Sequence, residues 1–181
     1  MGWSKPLDEK ESFLRREILS STINGAFQHA GVYEEKPDRL RKSEWEEQKK
    51  DFRKKIGKYL DEVVEEYNPD KNHYERIRMF VKTIKDPLLK KDKNNEVSFG
   101  VAQKLVNLYL KYLWCLAKFN DIPPHCPIDA GILKKKNGDA EEFGPWTKMD
   151  EEKYRGAIEK IKRTRSVNLA VWELEVWNKE N

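Results

Sequence analysis

The stretch Ser98 to Asp129, SFGVAQKLVNLYLKYLWCLAKFNDIPPHCPID, carries the longest uninterrupted helical pattern of the chain. Apolar side chains recur in it at steps of three and four: Val101, Leu105, Leu108, Tyr112, Leu116 and Phe119. Further apolar residues at 110, 113 and 114 extend the hydrophobic surface around most of the circumference, and such a helix belongs in the middle of a domain. We therefore predict a central buried helix over residues 98–119.

The polar residues of this helix lie in one stripe. Lys104, Asn107, Lys111 and Lys118 are separated by three, four and seven positions, which places them on one side. The pattern leaves open whether the stripe faces solvent or a cleft.

Both ends of the stretch carry boundary signals. Ser98 is suited to cap the first turn, and Gly100 permits a tight bend where the chain enters. The prolines at 123 and 124 exclude the helix beyond Phe119. Pro127 suits the first turn of a further short helix, beside whose N-terminus Asp129 is favoured by the helix dipole. Lys104 and Asp129 are thus predicted near the beginnings of two consecutive helices.

Working outward, the rest of the chain predicts more helices. Start signals precede apolar stripes at Asp8, at Ser43 with Glu46 in capping-box spacing, at Asn72, at Thr147 or Asp150, and at Ser166. No segment alternates as a strand would. We predict an all-α fold: residues 1–181 form a single globular domain of about six or seven helices around the central helix.

Composition limits the possible functions. Charged residues make up 38% of the 181 residues, and neither a membrane-spanning apolar run nor a signal peptide is present. We therefore expect a cytoplasmic protein without a membrane partner. Cys115 lies on an apolar helix, where a free thiol is usually buried, and its spacing from Cys126 fits no metal-ligand pair. We expect no metal site and no cofactor.

Basic residues are clustered, although the formal net charge is only +4. The clusters are Arg39, Arg41 and Lys42; Lys49, Lys50, Arg53, Lys54 and Lys55; Lys134, Lys135 and Lys136; and Lys160, Lys162, Arg163 and Arg165. Such clusters contact phosphates in nucleic-acid-binding proteins. The alternative, which we favour for any single cluster, is a solvated helix face.

Lys104 and Asp129 suggest a specific chemistry. A partly desolvated lysine at the positive end of a helix is a better nucleophile than a solvated one. A nearby carboxylate can deprotonate an attacking group or stabilise a positive centre. The pair suits attack on an electrophilic carbon.

At these residues the sequence resembles the helix-hairpin-helix DNA glycosylase superfamily. Residues 100–107, GVAQKLVN, resemble its hairpin and lysine element, and residues 127–129, PID, resemble its aspartate element. The resemblance implies that Lys104 is the Schiff-base lysine and that Asp129 assists cleavage of the glycosidic bond. It implies a DNA partner and a modified base as the substrate. We expect Gly100, Gln103, Asn107, His125 and Trp146 to contact the substrate, and Lys134, Lys135 and Lys136 to hold the DNA backbone.

Several alternatives stay open. Lys104 is equally consistent with a solvated position, and Asp129 with a carboxylate that only stabilises a helix start. The chain as a whole is also consistent with a non-catalytic module that binds nucleic acid or protein, for example in a phage or defence system. A third alternative is an enzyme that uses the loop of His125 and Cys126. The six tryptophans are interpreted as core residues, except Trp146, which lies in a loop beside Pro145.

Overall fold

The chain folds into helices joined by loops, as a computed structural model shows for Trp3, 6–69, 71–90, 94–134, 141–163 and 168–180. The α-helices of this described part are α1 (Glu9–Phe27), α2 (Lys42–Glu65), α3 (His73–Thr83), α4 (Phe99–Cys115), α5 (Ala130–Lys134), α6 (Glu151–Arg163) and α7 (Leu169–Glu180). Short 3₁₀ turns lie at Glu141–Phe143 and Trp146–Lys148. These residues contain no β-strand, only one isolated bridge between Tyr33 and Leu89. The all-α prediction is confirmed.

Most helices begin where their capping residues predict. The side chains of Asp8, Asn72, Ser98 and Asp150 each accept a backbone N–H from the first turn of the following helix, at 2.8 to 3.1 Å. The predicted cap of α2 is wrong, because the residue at the N-cap is Arg41 and not Ser43. The Glu44 carboxylate accepts the Arg41 N–H at 2.8 Å, so the helix begins earlier than Ser43.

Helix α4 is the centre of the fold and packs against α1, α2, α3 and α6. Its side chains are buried on nearly every side, as the pattern predicts. The helix is shorter than predicted, because Ala117 adopts a left-handed φ of 54°. The N–H of Lys118 then bonds the carbonyl of Leu113 at 2.8 Å, which is a Schellman ending. Phe119 remains in the core although it lies beyond the helix.

The polar stripe of α4 faces neither solvent nor an open cleft. Lys111 is 7% exposed and forms an ion pair with Glu173 of α7, with Nζ–Oε distances of 2.9 and 2.6 Å. Asn107 is fully buried, and Lys104 pairs with a residue before α5. Lys118 lies beyond the helix and pairs with Glu11 of α1. The polar stripe therefore bonds the central helix and its C-terminal end to α1, to α7 and to the segment before α5.

Two further predictions are corrected. Cys115 is exposed, because it lies in the last turn of α4 where the helix leaves the core, whereas Cys126 is buried. Trp177 is 55% exposed and does not fill the core, in contrast to Trp45, Trp146 and Trp172.

The surface of the described residues is charged but largely neutralised. Lys49, Lys50 and Lys54 of α2 each pair with a carboxylate three positions earlier, at 2.8 to 3.3 Å. This arrangement agrees with the solvated-face interpretation of that basic cluster. None of the described helices combines the length and the apolar character needed to cross a bilayer.

Candidate functional site: an ion pair between two helix beginnings

Lys104 and Asp129 meet at the beginnings of α4 and α5. Lys104 Nζ lies 3.2 Å from Asp129 Oδ2. Asp129 Oδ1 accepts the N–H of Ile132 at 3.0 Å, so one carboxylate caps α5 and holds the lysine at the same time. The lysine side chain is 12% exposed and the aspartate side chain 35%, so solvent reaches the pair mainly from the aspartate side.

Trp146 covers the lysine from another direction. The Lys104 Nζ atom lies 4.4 Å from the centroid of the Trp146 ring, which is a cation–π contact. Trp146 is 6% exposed and belongs to the 3₁₀ turn that precedes α6. The ammonium thus lies between a carboxylate and an aromatic face.

Gly100 allows the 3₁₀ turn to approach α4. A Cβ atom at position 100 would lie 1.8 Å from the carbonyl oxygen of Trp146, a distance that no side chain tolerates. The Gly100 N–H donates to Met149 O at 3.0 Å, and the Ser98 hydroxyl donates to Thr147 O at 2.7 Å. The glycine therefore serves close packing between α4 and the turn that carries Trp146.

Gln103 holds the segment before Asp129. Its Nε2 donates to Ile128 O at 2.7 Å, and its Oε1 accepts the Ile128 N–H at 3.1 Å. Gln103 and Ile128 are both fully buried. One carboxamide thus satisfies both backbone groups of the residue next to Asp129.

Asn107, one turn further along α4, also bonds the segment before Asp129. Its Nδ2 lies 3.2 Å from Cys126 O, 3.1 Å from Gln103 Oε1 and 2.9 Å from the Tyr154 hydroxyl. Its Oδ1 lies 2.8 Å from His73 Nε2. Asn107 therefore connects α4 with the 126–129 segment, with α6 and with α3.

These contacts form a chain of hydrogen bonds with one direction. Arg76 can only donate, so its 3.1 Å contact makes His73 Nδ1 an acceptor. His73 then donates from Nε2 to Asn107, which donates to the Tyr154 hydroxyl. Tyr154 in turn donates to His125 Nδ1 at 2.9 Å. The donor and the acceptor of each bond are assigned from the whole network, because Arg76 at its start can only donate.

Burial keeps His73 and His125 neutral. Desolvation lowers the pKa of His73 to about 4, although the bond to Asn107 opposes the shift. Desolvation, together with the neighbouring His73, lowers the pKa of His125 to about 2. The two rings pack edge to face, with centroids 4.8 Å apart. Neither is suited to accept a proton near pH 7.

A surface cavity of about 490 Å³ lies next to two neighbours of the ion pair, although neither Lys104 nor Asp129 lines it. Trp146 forms part of its wall, and so does Ala130, the residue after Asp129. The remaining wall comes from the loop after α1, from α5, and from the loop and 3₁₀ turn around Trp146: His29, Leu133, Lys134, Gly144, Pro145 and Thr147. This volume lies within the usual range of small-ligand pockets.

The predicted site residues fall into two groups. Lys104, Asp129 and Trp146 come together. Gly100, Gln103, Asn107 and His125 are buried, and the polar groups described above bond to other protein atoms. The structure therefore gives these four residues packing and bonding roles, and their contact with a substrate stays a prediction. Lys134 is exposed at the end of α5, whereas Lys135 and Lys136 lie outside the described residues.

Cys126 and His125 do not form a nucleophilic pair. The Cys126 side chain has no exposed surface, and burial raises the pKa of its thiol well above the ordinary value. His125 Nδ1 bonds to Tyr154, so this nitrogen is engaged elsewhere. A reactive cysteine requires an accessible thiolate. Within the described ranges, no three His, Cys, Asp or Glu side chains are grouped to hold a metal ion.

Sequence reasoning missed His73 and Tyr154, the side-chain partners of Asn107, and Arg76, which bonds His73. Two carboxamides one turn apart on an apolar helix signal a buried polar network, because each needs bonding partners. Nothing local identifies those partners, which lie 34 positions before and 47 positions after Asn107.

No protein-family model, no characterised protein and no solved structure matches this chain. What the site can do therefore follows from its own geometry and chemistry.

Proposed function

We propose that the protein is a DNA glycosylase with lyase activity that acts on a modified base. The observation that carries the proposal is the 3.2 Å contact between Lys104 Nζ and Asp129 Oδ2. Trp146 and Ala130, the neighbours of this pair, line a cavity. An amine and a carboxylate in contact supply a nucleophile and a proton acceptor.

The reaction assigns one role to each group. Nucleophilic attack needs the neutral amine, so Lys104 first passes a proton to Asp129, the acceptor with which it is in contact. The amine then forms a bond to the sugar C1′ atom while the bond from C1′ to the base breaks, and the base leaves with the electron pair and takes up the proton held by Asp129. Asp129 is then ionised again, and its negative charge stabilises the positive charge of the adduct. Proton transfer from the new ammonium to the ring oxygen opens the sugar ring and converts the adduct into a Schiff base.

The cavity supplies space for the substrate. Enzymes of this type turn the target nucleotide out of the helix into a pocket beside the reacting groups. The cavity beside Trp146 has a volume suited to a small ligand, and Lys134 on its rim offers a charge to a phosphate.

A similar ion pair lies elsewhere in the fold, and the two differ in whether their tryptophan lines a cavity. Lys118 pairs with Glu11 and lies 5.7 Å from the Trp3 ring, so it combines the same three kinds of group. Neither lysine lines any of the cavities described here, but Trp146 lines one and Trp3 lines none. A lysine, a carboxylate and an indole are therefore not sufficient for a site, and Lys118 provides a matched control.

Borohydride trapping tests the proposal. The protein is incubated with a panel of duplexes that contain damaged bases, and hydride reduction of a Schiff base gives a stable covalent adduct. We expect an adduct with the parent protein and with Lys118→Ala, and none with Lys104→Ala. Absence of both adduct and base release across the panel would overturn the proposal, as would an adduct that persists in Lys104→Ala.

A second candidate function is a non-catalytic module that binds nucleic acid or protein. A groove between α2 and α3 favours it, since Val63, Phe80 and the 68% exposed Met79 line a cavity of about 380 Å³. Under this alternative, Lys104 and Asp129 only fasten α5 to α4. Binding of DNA or of a protein partner that is unchanged in Lys104→Ala, without base release, would support it.

A further inference from the structure

Two carboxamides of α4 control where Asp129 lies. Gln103 and Asn107 are one helical turn apart, with Lys104 between them. Together they bond three backbone groups of the preceding segment: Cys126 O, Ile128 N–H and Ile128 O, at 2.7 to 3.2 Å. Consecutive Cα atoms are about 3.8 Å apart, so fixing Ile128 leaves Asp129 little freedom.

We propose that Gln103 and Asn107 are positioning residues, which hold the 126–128 segment on α4 so that the Asp129 carboxylate meets the Lys104 amine. The catalytic meaning of this role rests on the proposed glycosylase function. The role itself concerns only the geometry of the ion pair.

The chemistry of the side chains suits this role. A primary carboxamide carries a donor and an acceptor in one plane, so Gln103 can satisfy both groups of one peptide residue. The segment has no strand partner, and a buried backbone group without a partner costs free energy. Replacement of Gln103 by an apolar residue of similar length would leave two such groups unsatisfied.

Asn107 is itself held in one orientation. Its Oδ1 accepts the proton of His73 Nε2, and Arg76 fixes that proton by occupying Nδ1. The Nδ2 group must then point toward Cys126 O and Tyr154. His73 thus orients the Asn107 carboxamide, and the carboxamide in turn holds the 126–128 segment.

Chemical labelling of lysines tests the proposal without any substrate. In the parent protein, reductive methylation should modify Lys104 more slowly than the exposed Lys10, as read by peptide mass spectrometry. In Gln103→Met, which keeps the length of the side chain but loses both backbone bonds, we expect the labelling of Lys104 relative to Lys10 to rise about tenfold. Unchanged labelling of Lys104 in Gln103→Met would overturn the proposal.

Leu110→Ala is the matched control. Leu110 is fully buried on the same helix, and its side chain has no polar atom that could bond the 126–128 segment. The variant loses stability through a cavity, so it reports the effect of general loosening. Labelling of Lys104 should stay at the parent level in this variant, and an increase equal to that of Gln103→Met would count against a specific role.

Hydrogen exchange of the parent protein gives a test that needs no variant. The Ile128 amide should exchange about a hundredfold more slowly than that of Ile122, a 48% exposed loop residue. Equal exchange of the two amides would overturn the proposal.

Borohydride trapping distinguishes failure of the positioning role from failure of the proposed glycosylase function. If the parent protein forms an adduct, Gln103→Met should lower the rate of adduct formation by about tenfold while the KM for DNA stays the same. If the parent protein forms none, the glycosylase proposal fails, and the labelling and exchange results still decide the positioning role.

Discussion

Gln103 and Ile128 exchange two hydrogen bonds across 25 positions of sequence, one donated by the side chain and one accepted by it. Neighbouring β-strands pair in a similar way, but here a single side chain serves as the partner. The result is a segment without regular secondary structure that is bonded to a helix, in a fold whose described residues contain no strand. This attachment places the Asp129 carboxylate at Lys104.

Substitution of Asp129 should separate its two roles. Asparagine at this position keeps an oxygen that can cap α5 but removes the charge, whereas alanine removes both. We expect Asp129→Asn to be more stable than Asp129→Ala by about 1 kcal/mol, the usual contribution of a helix cap. Urea unfolding followed by circular dichroism measures the difference. Under the proposed function both variants lose base release, and an active Asp129→Asn would contradict the assigned role.

Gly100→Ala should displace the turn that carries Trp146. The new methyl group would meet the Trp146 carbonyl at 1.8 Å, and neither backbone can give way cheaply. We expect a loss of at least about 2 kcal/mol in the free energy of unfolding and a shift in tryptophan fluorescence.

Gly25→Ala in α1 is the control for this experiment. Its methyl group would lie 3.2 Å from the flexible end of Leu108, and alanine favours the helix by about 1 kcal/mol. We expect little net change in stability. Equal losses of stability in the two variants would contradict the steric role assigned to Gly100.

The ion pair of Lys111 and Glu173 should behave as a unit. Both side chains are less than 10% exposed, so removing one leaves a buried charge without its partner. We expect Lys111→Met or Glu173→Leu alone to cost about 3 kcal/mol, and the double variant to cost less than either. A double-mutant cycle from urea unfolding measures the coupling. Simple additivity of the two losses would contradict the expectation.

Acid should weaken the fold through His73. Its pKa is lowered to about 4 in the folded protein, whereas the ordinary value is 6.5, so the unfolded chain binds a proton first as the pH falls. The free energy of unfolding therefore decreases between pH 6.5 and pH 4, by roughly 3 kcal/mol from this residue at about 1.4 kcal/mol per pKa unit. At neutral pH this penalty is absent.

His73→Gln tests the pH effect, since glutamine can also accept from Arg76 and donate to Asn107 without titrating. The loss of stability between pH 7 and pH 5, measured by urea unfolding, should be smaller in His73→Gln than in His29→Asn, which replaces an exposed histidine. Equal losses in the two variants would contradict the assignment.

Local signals predicted much of the fold, because caps and apolar periods act over a few residues. The caps at Asp8, Asn72 and Ser98 were identifiable for this reason. The start of α2 was not, since Arg41 with Glu44 and Ser43 with Glu46 have the same spacing, and only tertiary packing selects between them. Exposure of Cys115 depends on where α4 ends, and Ala117 ends it in a conformation that favours glycine.

The candidate site was predictable only in part. Lys104 and Asp129 were identified by their places at helix beginnings, and the structure brings them together. Trp146 packs closely against Gly100, although the two residues are far apart in the chain. No periodic pattern in the sequence predicts this contact. Gln103 and Asn107 were named as expected substrate contacts, and the backbone groups that they bond became evident only from the folded chain.

The paired charges on α2 affect how fast an anionic partner can associate with this face. Because Lys49, Lys50 and Lys54 each lie beside a carboxylate, their fields largely cancel beyond a Debye length of roughly 8 Å in physiological salt. A polyanion that diffuses toward this face therefore experiences little electrostatic steering. Capture there depends on the rare encounters that begin in the right orientation, and its rate should change little with ionic strength.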